Sequence, residues 1–206
     1  MVVHACCRMI QQTHSLETMT SMWLLPVVTL IVASSSGGVI AKPMQDYSTQ
    51  HSLQTITLSV FMVTVGLSLA LMMLTVYLMR LIIHGLPKGI TLLSVFLPLG
   101  PTGQAGYSIM LIGDTFKTLL PSKSTQIPGF LTWDTTGTII DVVCISIAFV
   151  LWSLATMWIL YAVLALYTGL RESSIPFKIS FWGLVFPNVR ASLSYLVLNP
   201  DLRCQF

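Results

Sequence analysis

The sequence has little charge for its length. Of 206 residues, ten are Lys or Arg and seven are Asp or Glu, which makes 8% charged, whereas 54% are apolar. An ordinary soluble domain carries about 25% charged residues. So few charges would leave one large apolar surface facing water. The composition therefore excludes a cytosolic enzyme or a secreted domain, and it predicts a protein that is embedded in a lipid bilayer.

Several site signatures are also missing. The basic residues are scattered singly, so the sequence has neither a phosphate-binding stripe nor a polybasic lipid-binding cluster, and no nucleic-acid partner is predicted. The four cysteines form no CxxC pair, and the four histidines are isolated, so neither a metal site nor a cofactor is predicted. An enzyme would need clustered acid, base or metal groups. We therefore do not expect catalytic residues.

Long charge-free runs divide the chain into membrane spans. About 20 apolar helical residues are needed to cross a bilayer. Runs that meet this length predict an all-α bundle of about five spans, at residues 22–41, 53–79, 90–113, 142–169 and 179–198. The fifth is weaker, because Arg190 interrupts it and a charge at a helix centre costs about 2.5–3.5 kcal/mol. Residues 1–21 then form an N-terminal segment, residues 22–198 one membrane domain and residues 199–206 a tail.

The first run has a second interpretation, as the apolar core of a signal peptide. A long polar leader containing Glu17 precedes it and further spans follow, so a retained span is favoured. Loop charge then gives the orientation, because Lys and Arg are enriched in cytoplasmic loops. The side shared by the N-terminus and the second and fourth loops has the larger number of basic residues, which predicts a cytoplasmic N-terminus.

The spans alternate between two kinds. The first, third and fifth contain proline and small residues, whereas the second and fourth lack proline and are filled with large apolar side chains. Proline inside a span kinks the helix, and such backbone is tolerated only against protein or a water-filled cavity. We therefore expect kinked inner helices and smooth outer helices. The pattern leaves two interpretations open, close helix packing or a pore. No acidic residue lies in the middle of a span, and so a pore would suit a small anion better than a cation.

Three stretches, which lie in the odd-numbered spans and in the loops that precede them, resemble fungal sulfite efflux pumps. They comprise Trp23–Val28 with Ala33–Gly38, then His84–Pro87 with Phe96–Tyr107, and finally Pro176–Lys178 with Phe181–Pro187. The wider group is the tellurite-resistance/dicarboxylate transporter family, which includes fungal malate permeases and plant slow anion channels. The proline-glycine string around Pro98 is the most specific part, and it favours the sulfite branch over the malate branch.

The resemblance implies a ten-span fold in which odd-numbered helices line a central pore. This chain would supply spans five to nine, as a partial transporter domain, and we therefore expect a fragment or a truncated product. Phe186, which precedes a proline on the last span, is by position the residue that plugs the pore in relatives. The implied pore-lining or helix-kink residues are Pro26, Ser34, Ser35, Ser36, Gly37, Gly38, Pro98, Gly100, Pro101, Gly103, Gln104, Gly106, Trp182, Gly183 and Pro187.

The chain departs from the family motif at Phe181, Leu184 and Val185, and its sequence after Pro187 looks unrelated. The function implied by the resemblance is transport of a small anion, with sulfite efflux across the plasma membrane as the first expectation. A C4-dicarboxylate permease and a non-conducting truncated membrane subunit are the alternatives. The expected partners are a small inorganic anion (sulfite) and the lipid bilayer, with a homo-oligomer left open.

Overall fold

The computed structural model describes residues 21–85, 89–120, 135–172 and 189, and within these ranges all regular structure is helical. A short 3-10 helix, Ser21–Leu24, leads directly into the first α-helix. The α-helices are α1 (Leu25–Met44), α2 (Thr49–His84), α3 (Leu99–Leu119) and α4 (Thr136–Glu172), with a second 3-10 helix at Gly89–Phe96 before α3. The fifth predicted span, at 179–198, lies outside the described residues apart from Val189.

Pro26 and Pro98 lie at the starts of α1 and α3 and not in the middle of a helix, where the sequence predicts kinks. Pro26 is the second residue of α1, and Pro98 is the N-cap residue of α3. The first turn of a helix has no backbone acceptor for its N–H groups, so proline there loses no hydrogen bond. Its fixed φ suits the helix start, and Pro98 has a φ of −55°. Pro43 is the proline inside α1, one residue before the end of the helix.

The third predicted span, at 90–113, is not one continuous α-helix. It consists of the 3-10 helix Gly89–Phe96, a turn, and α3, which continues beyond the predicted end to Leu119. The break falls next to Pro98, where a backbone N–H is missing and the preceding residue is restricted. The charged residues Asp114 and Lys117 form part of the last turns of α3 and do not end the helix.

Local signals define both ends of α2. The Ser48 side chain accepts a hydrogen bond from the backbone N–H of His51 at 3.5 Å, as expected of an N-cap serine. Gly85 ends the helix with a positive φ of 73°, which glycine adopts at low steric cost. The resulting helix has 36 residues, which is longer than a bilayer core requires.

α3 is the innermost helix of the described part. It packs against α1 on one side and α4 on the other, and α1 packs in turn against α2. Buried residues make up 15 of the 21 in α3, against 8 of the 36 in α2. The high content of small residues in α3 allows neighbouring backbones to approach on several sides. The interior position of this proline- and glycine-rich helix agrees with the sequence prediction.

The buried face of α2 follows a seven-residue pattern. Its members are Ser52, Ile56, Ser59, Val63, Gly66, Ala70, Leu74 and Tyr77. Spacings of three and four residues place all of them on one stripe of a helix. Small residues recur at every seventh position in Ser52, Ser59 and Gly66. A Cβ atom added to Gly66 would lie 2.8 Å from Ile31 Cγ1 and 3.4 Å from the Ile31 backbone nitrogen. This glycine therefore allows α2 to cross α1 at close range.

The remaining faces of α2 and α4 are covered with exposed large apolar side chains. On α2 these include Leu58, Phe61, Met72 and Ile82, and on α4 they include Phe149, Val150, Leu160 and Leu164. Three described helical segments are long and apolar enough to cross a membrane, namely Leu25–Met44, Thr49–His84 and Thr136–Gly169. The protein is therefore an all-α membrane helical bundle, and its exposed apolar surface includes these faces of α2 and α4.

Candidate functional site

A buried cluster of hydroxyl groups joins α1, α2 and α3 near the middle of the bundle. Ser34, halfway along α1, donates a hydrogen bond from Oγ to the carbonyl oxygen of Ser59 on α2 at 2.7 Å. The hydroxyl oxygens of Ser34 and Ser108, on α3, lie 2.7 Å apart. A serine has one hydroxyl hydrogen, and that of Ser34 is used on Ser59. Ser108 is therefore the donor in its contact with Ser34.

A second contact in the same cluster links α1 to α3 through Gln104. The Nε2 atom of Gln104 donates to Ser35 Oγ at 2.6 Å, and Ser35 Oγ donates in turn to the carbonyl oxygen of Val32 at 2.8 Å. With the Ser35 hydrogen assigned to Val32, Ser35 accepts from Gln104, and the amide is oriented with Nε2 towards Ser35 and Oε1 away from it. The Oε1 atom of Gln104 is then left without a hydrogen-bond partner, although the residue is 0% exposed.

The other hydroxyls of this region are satisfied by backbone carbonyls of their own helices. Ser59 donates to Thr55 at 2.9 Å, and Thr102 lies 3.2 Å from the carbonyl oxygens of both Pro98 and Leu99. In a medium without water, such bonds remove the cost of burying a hydroxyl group. They also direct the hydroxyl hydrogens towards carbonyl groups. The cluster is uncharged, and we name its members, Ser34, Ser35, Ser59, Gln104 and Ser108, the central polar cluster.

Two ion pairs lie at one end of the bundle, where α1 and α3 end and α4 begins, and we name this the charged end. Lys42 pairs with Asp114 at 2.8 Å, and Lys117 pairs with Asp141 at 3.3 Å. The first pair is half-exposed, whereas the Asp141 side chain is only 6% exposed beside a Lys117 that is 50% exposed. The Oδ1 atom of Asp141 has no hydrogen-bond partner. The two pairs hold the last turns of α3 between α1 and α4.

Most of the predicted pore-lining residues in the described part are buried. Buried members are Ser34, Ser35, Gly38, Pro98, Gly100, Pro101, Gly103, Gln104 and Gly106. Pro26 and Gly37 are half-buried, and Ser36 is exposed, with its hydroxyl bonded to the carbonyl oxygen of Val32 at 3.1 Å. The residues Trp182, Gly183, Phe186 and Pro187 lie outside the described residues. The structure thus brings Ser34, Ser35 and Gln104 together, and their lining of a pore stays a prediction.

Sequence reasoning missed Ser59 and Ser108. Ser59 lies on a span that was predicted to be smooth and lipid-facing, yet it receives a hydrogen bond from Ser34. The seven-residue recurrence of Ser52, Ser59 and Gly66 was a signal for this inner stripe. Ser108 lies four residues after Gln104, one helical turn away on the same face of α3. The signal was therefore present as helical spacing.

Known proteins give an independent view of this chain. A family model described as SLAC1, the voltage-dependent anion channel, matches residues 1–206. The chain is 35% identical over 179 residues to proteins named sulfite efflux pump SSU1 from Arthroderma benhamiae and from Trichophyton rubrum. Each match covers 87% of this chain and 44% of the relative. A protein of the same name from Candida albicans is 35% identical over 100 residues, covering 48% of this chain and 20% of the relative.

The chain thus spans less than half the length of the curated relatives that it matches most extensively. No solved structure matches it. The family model covers the whole chain. Three of the described helical segments of the chain have the length and composition of membrane spans. The chain is therefore an integral membrane protein that belongs to the voltage-dependent anion channel family SLAC1.

Proposed function

We propose that this chain forms part of a transmembrane pathway that exports sulfite across the plasma membrane. Support comes from the family, and from relatives that are named sulfite efflux pumps. The observation that carries the proposal is the central polar cluster. It is buried, uncharged and held halfway through the bundle by α1 and α3, two helices that contain the stretches resembling those pumps.

The electrostatics of the described part suit an anion. Moving an ion into a low-dielectric medium is costly unless polar groups replace its hydration shell. Among the buried residues that the structure describes, Asp141 alone is acidic, and it lies at the charged end beside Lys117. A carboxylate at mid-depth would repel an anion, and the central polar cluster contains none. The central polar cluster therefore places no fixed negative charge in the path of an anion at this depth.

Expression in a sulfite-sensitive yeast strain tests the proposal. We expect the chain to raise sulfite tolerance when it is supplied together with the remaining spans of a relative. We expect no anion efflux from liposomes that contain the purified chain alone, because half of a pore wall encloses no pathway. Malate uptake by the same yeast would favour the C4-dicarboxylate alternative. Absence of both activities would favour a non-conducting membrane subunit.

The proposal includes a cytoplasmic N-terminus, which the distribution of basic residues supports. The charged end of the bundle, with its two ion pairs, would then face outwards. Tyr47, in the turn between α1 and α2, is 92% exposed and lies at the same end. An impermeant thiol reagent should therefore label Tyr47→Cys in intact cells. Labelling that requires permeabilised cells would reverse the orientation.

Phe186 remains the proposed gate, on the basis of the family resemblance. In the complete pore, Phe186→Ala should increase anion leak, because the substitution removes an aromatic ring that would obstruct the pathway. Phe177→Ala, in the same segment but outside the aromatic-proline motif, is the matched control and should leave the leak at its original level. Equal leak in both variants would remove Phe186 from the gate role.

A further inference from the structure

Gln104 is the member of the central polar cluster with an unused hydrogen-bonding atom. Its side chain is fully buried, Nε2 is bonded to Ser35, and Oε1 has no partner. Leaving a buried acceptor unpaired is costly, because the group loses its bond to water and gains none in return. A ligand that donates a hydrogen bond to Gln104 Oε1 would remove this cost.

The other polar groups of the cluster cannot supply that donor. The hydroxyl hydrogens of Ser34 and Ser35 are used on backbone carbonyls, and that of Ser108 is used on Ser34. Ser59 likewise donates to the carbonyl oxygen of Thr55. Each hydroxyl has a single hydrogen, so none is left over. The cluster as folded thus offers a free acceptor at Oε1, lacks a free hydroxyl donor, and has one uncommitted hydrogen, the second N–H of Gln104 Nε2.

We propose that Gln104 selects oxyanions that carry an acidic O–H group, with Oε1 as the acceptor of that hydrogen. For sulfite this means the singly protonated form, hydrogensulfite, and the inference rests on the proposed function for its biological substrate. Anions without a hydrogen, such as nitrate, would present negative oxygen to the negative end of the Gln104 carbonyl dipole. The doubly charged form of sulfite is disfavoured further, because no cation lies in the cluster to offset its desolvation.

Access to Gln104 requires movement of α1 relative to α3. Its amide is bonded to Ser35 at 2.6 Å, and both side chains are buried where the two helices meet. A ligand that reaches Oε1 must therefore open this contact locally. Binding would replace part of the contact between α1 and α3 with contact to the ligand. Because the Gln104–Ser35 hydrogen bond must open, a stronger bond would weaken ligand binding.

Ligand-dependent thermal stability of the purified chain in detergent tests this inference. A ligand that binds the folded state raises the unfolding temperature, and the stabilisation grows with the logarithm of the ratio of its concentration to Kd. Below the second ionisation of sulfurous acid, we expect sodium hydrogensulfite to stabilise the chain more than sodium nitrate at equal ionic strength. Above that ionisation, where the dianion dominates, the difference should disappear. Equal effects of the two salts at the lower pH would overturn the proposal.

Substitution identifies the atom responsible. Gln104→Met retains the unbranched shape but removes both hydrogen-bonding ends, and should weaken hydrogensulfite binding about tenfold, the effect of one hydrogen bond. Gln54→Met, at an exposed glutamine of α2, is the matched control and should bind like the original chain. Undiminished binding by Gln104→Met would overturn the proposal.

Ser35→Ala keeps the inference testable if Gln104→Met fails to fold. It removes the hydroxyl that holds Nε2 but leaves Oε1 in place, so the preference for hydrogensulfite over nitrate should persist. Loss of that preference would show that the cluster acts through Ser35 and not through the Gln104 carbonyl. These are binding measurements on the chain itself, so their failure is distinct from a failure of the sulfite-tolerance assay.

Discussion

Gly113 lies where α3 meets α4, and alanine at this position tests how closely the two helices pack. A Cβ atom added there would lie 2.8 Å from Cys144 Cβ, 3.2 Å from Asp141 Oδ1 and 3.4 Å from Asp141 Cα. Carbon atoms in contact prefer about 3.5–4.0 Å. The helices must therefore separate by about 0.7 Å, because Cβ atoms on two helices cannot rotate away from each other.

The expected loss of stability follows from two opposing terms. Overpacking of a close contact costs about 1–3 kcal/mol. Replacing glycine by alanine inside a helix recovers about 0.8–1.0 kcal/mol of helix propensity. Gly113→Ala should therefore lower the free energy of unfolding by about 1 kcal/mol, as measured by denaturation in mixed micelles with tryptophan fluorescence.

A compensating change sharpens this test. Cys144→Gly removes the atom closest to the new methyl group, so the double variant should be more stable than the sum of the two single effects by about 1–2 kcal/mol. Gly38→Ala is a graded control, because its added Cβ would lie 3.2 Å from Leu111 Cβ, and it should cost less. Additive single effects, or a stabilising Gly113→Ala, would show that α3 and α4 are not in this close contact.

Two further predictions concern the charged end and the central polar cluster. Lys117→Met should destabilise the fold by about 1–2 kcal/mol more than Asp141→Asn does. The Lys117 substitution leaves the buried Asp141 carboxylate unpaired, whereas the Asp141 substitution leaves a lysine that can reach solvent. The reverse order of stabilities in micelle denaturation would contradict this prediction. Ser34→Cys with Ser108→Cys should form a disulfide under mild oxidation, because the two Oγ atoms lie 2.7 Å apart. A gel-shift assay that detects no cross-link, with Ser34→Cys alone as the control, would contradict the packing of α1 on α3.

Composition and periodicity were enough to predict the membrane class. Seventeen charges, the sum of ten basic and seven acidic residues, cannot cover a soluble domain of this length. The exposed faces of α2 and α4 follow from their many large apolar residues, which have no energetic reason to avoid lipid. The stretches around Pro26 and Pro98 indicated the family, and the family model confirms it over the whole chain.

The positions of the helix ends were less accessible to sequence reasoning. The first span was predicted at 22–41 and the structure gives Leu25–Met44, while the second was predicted at 53–79 and extends over Thr49–His84. Charges ended the predicted spans, yet helices continue through Lys42 and Arg80 because the backbone hydrogen bonds of a helix do not depend on side-chain charge. The sequence predicts kinks at Pro26 and Pro98, and only the helix bounds of the structure show that both residues lie at a helix start.

Which surfaces are apolar can be predicted from the amino-acid sequence, because that property belongs to each side chain and to its spacing along a helix. The tertiary structure alone decided that Ser34, Ser59 and Ser108 meet, since they come from three helices and their contact depends on how those helices cross. It also decided which hydroxyl hydrogens are used on carbonyls, and hence that Gln104 retains an unused acceptor. A hydrogen bond has a direction and a partner, and neither is specified until the backbone of a neighbouring helix is in place.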